Sequence, residues 1–420
     1  LVAAAAQKFG VAASECEVAR SIVTHRASNA SASFGELAQA AALLSTPTGA
    51  KLKSRGEFKV LGNSQARLDI PEKVDGSATY GIDVRPPGMV YGAIAQSPVM
   101  GGTLVSFDRD SVIEMPGVKA IVGLPATSMS QAAVVVVAEH YWQAQKALNA
   151  MPLEWDDGEH VAHDTDEQKK RYQAMLGAQG GRVYDVAGDV DEGFDGAEKI
   201  VEADYHAPYL AHATMEPMNC TTIARSDGTA EVWVGNQAPT IARWVTAQSL
   251  GLESEAVTLH TPYLGGGFGR RSEMDVVQQA ALVAKEIPDV PVQLIWSREQ
   301  DMQHDLYRPM GSGRLRAVLD DAGKLKTFDA KVVGQSCIYG LTARLMPGSE
   351  SNLMKDRTTT EGIFDLPYGV PNRRTAHVLA EEPVQVGFWR SVGHSHHAFF
   401  AESFIDECAI AAGTDPYKFR

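Results

Sequence analysis

Tyr263–Arg271, with the sequence YLGGGFGRR, constrains the fold more than any other segment of this chain. A strand-like run enters three consecutive glycines, and a helix-like run follows. Because glycine adopts positive φ and has no side chain, successive backbone N–H groups of such a loop can converge on an oxygen-rich ligand at a helix N-terminus. Arg270 and Arg271 add cationic donors suited to phosphate. The alternative is a tight strand–helix connection with two solvated arginines, and the residues alone leave both interpretations open.

The spacing of the loop excludes two common nucleotide-binding motifs. Counted from Gly265, the third glycine of GxGxxG falls on Arg270, so the dinucleotide fingerprint is not met. A Walker A loop needs Gly-Lys-Ser/Thr, which is also missing here. If this loop binds an anion, it does so in another type of site.

The composition excludes several other classes of protein. Lys+Arg 38 against Asp+Glu 52 gives a net charge of −14, and no basic block is interleaved with aromatics, so nucleic acid is not the expected partner. The four cysteines form no CxxC pair, which disfavours a disulfide framework, a structural zinc site and Fe–S ligation within the chain. The most apolar run, Ala132–Ala138, has the length of a strand rather than of a membrane helix. The expectation is a protein that is not integral to a membrane.

Three further segments could carry chemistry. HATMEPMN at 212–219 places His212 four residues before Glu216, but Pro217 prevents a helix, so the segment is expected to be extended or turned. WRSVGHSHH at 389–397 places Arg390 before three histidines that precede a helix. Neither spacing is typical of a zinc site, and we predict no metal bound directly by side chains. The acidic run at 188–196 does not match a calcium loop and is better explained by a helix cap.

The order of strand-like and helical patterns predicts an α+β (mixed α/β) protein of two or three domains. An N-terminal helical segment is expected over 1–60, a small α+β domain over 61–155, a linker over 156–182 and a larger domain over 183–420. The sequence starts at Leu1 within a helical pattern and stops one turn into another, so we expect a fragment truncated at both ends.

Taken in order, five segments and the C-terminal helix resemble one family. They are HATMEPMN (212–219), VWVGNQAP (232–239), LGGGFGRR (264–271), PVQLIWSRE (291–299), WRSVG (389–393) and ESFIDECAIAAGTDP (402–416). Together they are similar to the molybdopterin-binding large subunit of the xanthine dehydrogenase and aldehyde oxidase family, in particular to its isoquinoline 1-oxidoreductase beta-subunit branch. The resemblance runs through nearly the whole chain.

The resemblance implies a hammerhead-like domain over 61–155, followed by the first molybdopterin-binding domain. It further implies a molybdenum cofactor, hydroxylation with water-derived oxygen, and electron transfer to a 2Fe–2S partner subunit. By motif, the cofactor would contact Gly266, Gly267, Phe268, Gly269 and Arg270. Gln237 would hydrogen-bond an oxo group of the cofactor, and Arg390 would orient the substrate.

Two departures from the family pattern affect the expected activity. Purine-oxidising relatives have a glutamate shortly after GGGFG, whereas Arg270, Arg271 and Ser272 follow here, so xanthine is disfavoured. The family's Gly-Val-Gly-Glu base has no match up to Arg420, so the fragment is expected to be inactive alone.

The resemblance leaves the activity and the compartment open. An N-heteroaromatic ring similar to isoquinoline is the first substrate class. One alternative is an aldehyde dehydrogenase that passes electrons to a cytochrome c subunit, and another is a non-catalytic binding or assembly protein. The compartment remains open between periplasm and cytoplasm.

Overall fold

The computed structural model describes residues 1–349 and 355–420, which divide into two units, Leu1–Asp75 and Gly76–Arg420. The first unit contains α1 (Val2–Phe9), β1 (Cys16–Ala19), β2 (Ile22–His25), β3 (Ala30–Ser33), α2 (Phe34–Ala42) and α3 (Ile70–Asp75).

The second unit contains fourteen of the described strands and nine of the described helices. The strands are β4 (Val90–Gln96), β5 (Thr103–Phe107), β6 (Val118–Leu124), β7 (Ala133–Ala138), β8 (Leu153–Asp156), β9 (Arg182–Ala187), β10 (Ile200–Ala207), β11 (Asn219–Ala224), β12 (Ala230–Trp233), β13 (Val257–His260), β14 (Val292–Ile295), β15 (Gly311–Leu319), β16 (Leu325–Gly334) and β17 (Asn372–Leu379). The helices are α4 (Tyr141–Ala150), α5 (Thr165–Gly177), α6 (Val190–Phe194), α7 (Pro239–Leu250), α8 (Asp275–Glu286), α9 (Arg298–Gln303), α10 (Cys337–Leu345), α11 (His394–Ala411) and α12 (Pro416–Phe419).

The first unit is not the purely helical segment expected over 1–60. Strands β1, β2 and β3 form an antiparallel sheet between its helices. The β-branched run of β2 alternates in burial, and Arg20 and Ser21 adopt positive φ at the hairpin turn before it, a signal hidden by the alanine-rich surroundings. As expected, Ser33 caps α2, and its capping box with Glu36 is complete.

A seven-stranded mixed sheet with the order β13-β12-β11-β14-β4-β7-β6 is the centre of the second unit. Strand β7, the run AVVVVA, is completely buried, so both of its faces are covered. Burying one such valine contributes about 1.5–3 kcal/mol. Strands β4, β6 and β7 come from 61–155 and the other four from 183–420, so the two expected domains share one sheet. The parallel pairing of β4 with β14 makes this connection.

A five-stranded sheet with the order β10-β15-β16-β17-β9 forms the second layer. Its β15–β16 hairpin agrees with the sequence pattern, and Phe400 and Phe404 of α11 pack into the core beneath it. Residues 156–182, expected to be a linker, contain the 13-residue helix α5. The helix is polar overall, but Tyr172 and Leu176 are buried in a small apolar cluster of their own, which the low mean hydropathy of the segment concealed.

The parallel pairing of β12 with β13 positions the glycine loop. Trp233 lies opposite His260 at the ends of these two neighbouring strands. Because both strands run in the same direction, the residues that follow them leave at one edge of the sheet, and ligands of open α/β sheets bind outside this carboxyl edge. Gln237 follows β12, and the glycine loop follows β13. The topology therefore brings together two segments that are some thirty residues apart in the chain.

Across residues 1–349 and 355–420, no helix combines the length and the apolar character needed to cross a bilayer.

Candidate functional site

The glycine loop has a backbone that non-glycine residues rarely adopt. Gly266 and Gly269 have φ values of 98° and 113°. Phe268 between them also has a positive φ, 55°, and its side chain is 43 % exposed. A left-handed, exposed phenylalanine is uncommon and is found where the surrounding structure imposes it. The loop thus presents both its backbone and an aromatic side chain outward.

Other groups closely approach two of the glycines, and at Gly269 the approaching group is backbone, so a side chain is excluded there. A Cβ at Gly267 would lie 2.5 Å from Oε1 of Gln237. A Cβ at Gly269 would lie 1.5 Å from the carbonyl oxygen of Phe388. The loop is therefore packed directly between the segment after β12 and the segment before Arg390.

The loop holds Gln237 through two hydrogen bonds, and one of them orients its side chain. The backbone N–H of Gly269 donates to Oε1 of Gln237 over 3.1 Å, and the N–H of Gln237 donates to the carbonyl of Arg271 over 2.8 Å. Since a backbone N–H can only donate, the amide oxygen must face Gly269 and the NH₂ group must face elsewhere. No hydrogen bond of that NH₂ group occurs among the described residues, and the side chain is exposed. It is available to donate to an oxygen atom of a ligand.

A buried ion pair between Glu216 and Arg271 is hydrogen-bonded to the backbone of the glycine loop. Nη2 of Arg271 lies 3.0 Å from Oε2 of Glu216, and both side chains are almost completely buried. The same carboxylate accepts from the N–H of Gly265 at 2.6 Å, and Nε of Arg271 donates to the carbonyl of Gly266 at 2.8 Å. Burial lowers the pKa of Arg271, and the charge of Glu216 opposes that shift. The pair thus fixes the first two glycines through their backbone atoms.

Arg270 belongs to a second buried network. Its Nη1 and Nη2 donate to the two carboxylate oxygens of Asp275 at 3.0 and 2.6 Å. Its Nε forms an ion pair with Oδ1 of Asp305 at 3.0 Å, although the alignment is too poor for a hydrogen bond. Burial opposes the charged form of Arg270, but the nearby charges of Asp275 and Asp305 outweigh it and raise the pKa of Arg270.

His212 connects this network to the loop before Arg390. Its Nδ1 lies 3.0 Å from Asp305, and its Nε2 lies 2.9 Å from the carbonyl oxygen of Phe388. Burial alone would raise the pKa of Asp305, but the hydrogen bond from His212 and the charge of Arg270 hold that pKa below its ordinary value. Phe388 is thereby fixed at the position where it touches Gly269.

These contacts change the interpretation of Arg270, His212 and Glu216. Arg270 was expected to contact the cofactor, and the alternative was a solvated arginine; instead it is 1 % exposed and its guanidinium is occupied by two aspartates. It can position the loop, but it cannot reach a phosphate without breaking both pairs. The segment 212–219 is non-helical, as Pro217 indicated, but His212 and Glu216 serve two different networks.

Sequence reasoning missed Asp275 and Asp305. Asp275 could have been noticed because it is the first residue of α8, directly after the loop. Asp305 follows the short helix α9 and carries no motif that singles it out.

Arg390 lies two residues beyond Phe388 and is exposed. No hydrogen bond or ion pair of its guanidinium occurs among the described residues. Ser391 and Val392 after it have φ values of 73° and 48°, an unfavourable conformation for a β-branched valine. The turn is thus tightly constrained, and it holds an unpaired cation next to the glycine loop.

The three histidines after this turn have separate environments. His394 is half-exposed and lies 3.0 Å from Asp365, whereas His396 and His397 are buried at the start of α11. Across the residues that the structure describes, no three His, Cys, Asp or Glu side chains are arranged to hold a metal ion.

Comparison with known families shows to which family this chain belongs. Residues 175–420, which include the glycine loop, both ion-pair networks and the turn at Arg390, match the model of the molybdopterin cofactor-binding domain. The chain belongs to this family.

Curated relatives of this molybdopterin-binding chain carry the names of oxidoreductases. It is 29 % identical, over its whole length, to a protein of Gluconacetobacter polyoxogenes named membrane-bound aldehyde dehydrogenase (pyrroloquinoline-quinone), of which it covers 55 %. It is 28 % identical, again over its whole length, to the isoquinoline 1-oxidoreductase subunit beta of Brevundimonas diminuta, of which it covers 58 %. The chain thus spans little more than half the length of these two relatives.

Solved structures confirm the expected fold. The aldehyde oxidoreductase of Desulfovibrio desulfuricans matches 86 % of this chain with a TM-score of 0.69 at 18 % identity, over 43 % of its own length. Quinoline 2-oxidoreductase of Pseudomonas putida matches 86 % with a TM-score of 0.66 at 17 % identity, over 49 % of its length. At these identities the likeness establishes the mixed α/β fold and nothing finer.

Proposed function

We propose that the chain is the cofactor-binding part of a molybdenum hydroxylase, and that the glycine loop and Gln237 contact the cofactor together. The observation that supports this most is the bond from the Gly269 N–H to Oε1 of Gln237, because it leaves the NH₂ group of Gln237 directed away from the protein. A cofactor with oxygen acceptors would fit this donor.

The residues present fit such a group. Gln237 and Phe388 closely approach the loop at Gly267 and Gly269, so the loop, Gln237 and the turn at Arg390 lie together as one candidate site. Phe268 offers an exposed apolar face, and the Gly266 and Gly267 backbone can be approached closely for lack of side chains. When bound, the cofactor would supply the two-electron redox chemistry of hydroxylation, with oxygen derived from water.

The side chains around the loop would bind and orient rather than react. Gln237 would donate a hydrogen bond to the bound cofactor, and the exposed Phe268 would limit access of water to the loop. Arg390, exposed and without a partner, would hold a substrate or stabilise negative charge that develops on it. Arg270 would act as a positioning residue, because its guanidinium is committed to Asp275 and Asp305.

An N-heteroaromatic ring is the substrate class we propose first. The support is the similarity to the isoquinoline 1-oxidoreductase subunit, together with a cationic Arg390 suited to charge on a ring. The similarity to a protein named aldehyde dehydrogenase supports a second candidate, oxidation of an aldehyde. Product analysis on isoquinoline, nicotinate and simple aldehydes, with the full-length protein and an artificial electron acceptor, separates the two.

We further propose a small 2Fe–2S subunit as the electron-transfer partner. The support is that the four free cysteines, Cys16, Cys220, Cys337 and Cys408, form no cluster-binding group among the described residues. A cytochrome c subunit would accompany the aldehyde alternative. Purification of the full-length protein through a tag, followed by iron and haem analysis of what co-purifies, tests both partners. A protein that carries neither molybdenum nor pterin would instead support a non-catalytic binding or assembly role.

A further inference from the structure

A small cavity lies at the turn that carries Arg390, and Trp389, Val392 and Gly393 of that turn line it. Its volume is about 20 Å³, and it is lined by residues that include Arg308, Trp389, Gly393, His396 and His397. This is space for about one or two water-sized molecules, so a pterin cannot enter it. Nothing in the site described above uses these side chains.

Three buried nitrogen atoms of the lining residues have no hydrogen-bond partner among the described residues. They are Nε of Arg308, Nε1 of Trp389 and Nδ1 of His396. The guanidinium and indole N–H groups can only donate, and His396 Nδ1 donates in one of its two neutral tautomers. Leaving a buried donor unsatisfied costs about 1–3 kcal/mol. The common requirement of these three groups is an acceptor in the cavity.

The charge of the cavity favours an anion over water as that acceptor. Arg308 is 8 % exposed, and within residues 1–349 and 355–420 no carboxylate lies within ion-pair distance of it. Its guanidinium otherwise donates only to the Pro208 carbonyl and, at 3.5 Å, to the Ser395 hydroxyl. A buried charge without a partner is strongly destabilising, and a neutral water does not compensate it.

The N-terminus of α11 adds a second positive contribution. Gly393, the residue before the helix, lines the cavity, no side chain caps this end, and the first turn contains no acidic residue. The aligned peptides of an 18-residue helix place partial positive charge at this end.

Three carboxylates near the start of α11 or near Thr358 and Thr359, which line the cavity, have partners of their own. Asp365 and Glu361 face His394, and Asp356 accepts from Ser336 and Thr358. None of these three carboxylates lines the cavity.

We propose that this cavity binds one small monovalent anion, such as chloride, between Arg308, the Trp389 indole and the start of α11. The anion would neutralise Arg308 and accept from the orphaned donors. It would also fix the turn that carries Arg390, because Trp389 directly precedes that residue. The inference does not depend on the proposed redox function.

Anomalous diffraction tests the site directly. Crystals of the full-length protein grown with bromide in place of chloride should show a bromine peak bounded by Arg308, Trp389 and His396. Ordered density without a bromine signal would mean water only, and a side chain from outside this chain filling the cavity would equally overturn the proposal.

Halide-dependent stability provides a second test in solution. At matched ionic strength, replacing gluconate by chloride should raise the Tm of the full-length protein by about 2–4 °C. Arg308→Gln should abolish this rise, whereas the control Arg373→Gln, which removes a partly exposed arginine paired with Asp185, should retain it. If Arg308→Gln does not fold, Trp389→Phe serves instead, because it keeps an aromatic ring but removes the indole N–H donor. It should raise the halide concentration at the midpoint of the stabilisation about tenfold. An unchanged midpoint in Trp389→Phe would refute the assignment.

Discussion

The backbone N–H of Gly269 donates to Oε1 of Gln237 over 3.1 Å, and the two residues are brought together by the parallel pairing of β12 with β13. The bond determines which end of the Gln237 amide faces outward. It also connects the glycine loop with the segment that carries Gln237, since the loop backbone orients the glutamine side chain.

Substituting Gln237 tests its proposed donor role. If the protein is the proposed hydroxylase, Gln237→Ala in the full-length protein should lower kcat by about 10²-fold, because one hydrogen-bond donor to the cofactor is lost. The fold should persist, since the Gly269 N–H that is released lies at the surface. Gln248→Ala, an exposed glutamine on α7, is the matched control. Equal turnover of Gln237→Ala and wild type would remove Gln237 from the site.

Substituting Gly269 tests the packing of the loop against the turn at Arg390. A Cβ there would lie 1.5 Å from the Phe388 carbonyl oxygen, at a φ of 113°. Gly269→Ala should therefore lower both Tm and molybdenum content. Gly228→Ala is the control, because Gly228 also has a positive φ, 85°, but a Cβ there meets nothing within 4 Å. If both variants lose the same amount of stability, the clash is not what matters.

Breaking the Glu216–Arg271 pair should be costly. Glu216→Gln leaves the buried Arg271 without its counter-charge, and such a loss destabilises a protein by about 3–5 kcal/mol. Removing both charges, in Glu216→Gln with Arg271→Met, should cost less than the sum of the single changes. Denaturant unfolding of the wild type, the two single variants and the double variant measures this coupling. Strictly additive losses of unfolding free energy would contradict it. Arg26→Met, which breaks an exposed pair with Glu17, should change little.

The buried His377 should make stability sensitive to mild acid. Burial lowers its pKa to about 4, although the bond to the Gly334 carbonyl opposes the shift. In the unfolded chain a histidine has a pKa near 6.5. Between about pH 4 and 6.5 the unfolded state therefore binds more protons than the folded state. The contribution of His377 to stability is complete above about pH 6.5, is lost by up to about 1.4 kcal/mol per pH unit as the pH falls, and is lost no further below about pH 4.

The variant His377→Asn isolates this contribution. It should flatten the dependence of the unfolding free energy on pH by one proton between about pH 4 and 6.5. His160→Asn, at a more exposed histidine, should leave the slope unchanged. Parallel pH profiles of wild type and His377→Asn would contradict the assignment.

Local patterns in the sequence predicted much of the second unit. The strand AVVVVA and the cap of α6 at Asp189 follow from an apolar run and a capping residue, which act over a few residues. Three short strands in the first unit and helix α5 escaped this reasoning. In both places the pattern is weak, and a few buried residues supplied by tertiary packing decide the structure.

The site shows the same division between local and long-range information. The glycines and Gln237 were singled out from motif and resemblance, and their contact with a cofactor stays a prediction. The buried roles of Arg270 and Arg271 were not predicted. Their partners Asp305 and Glu216 are far away in the chain, and only folding brings them into contact. An arginine next to a glycine loop has the same local pattern whether it points outward or inward.

Metal and pterin analysis of the full-length protein, purified with its partner subunits, tests the central claim most directly. We expect near-stoichiometric molybdenum and pterin in the wild type, and a large loss of both in Gly269→Ala, in which a Cβ would lie 1.5 Å from the carbonyl oxygen of Phe388. A wild-type protein that folds and assembles but contains neither molybdenum nor pterin would contradict the account.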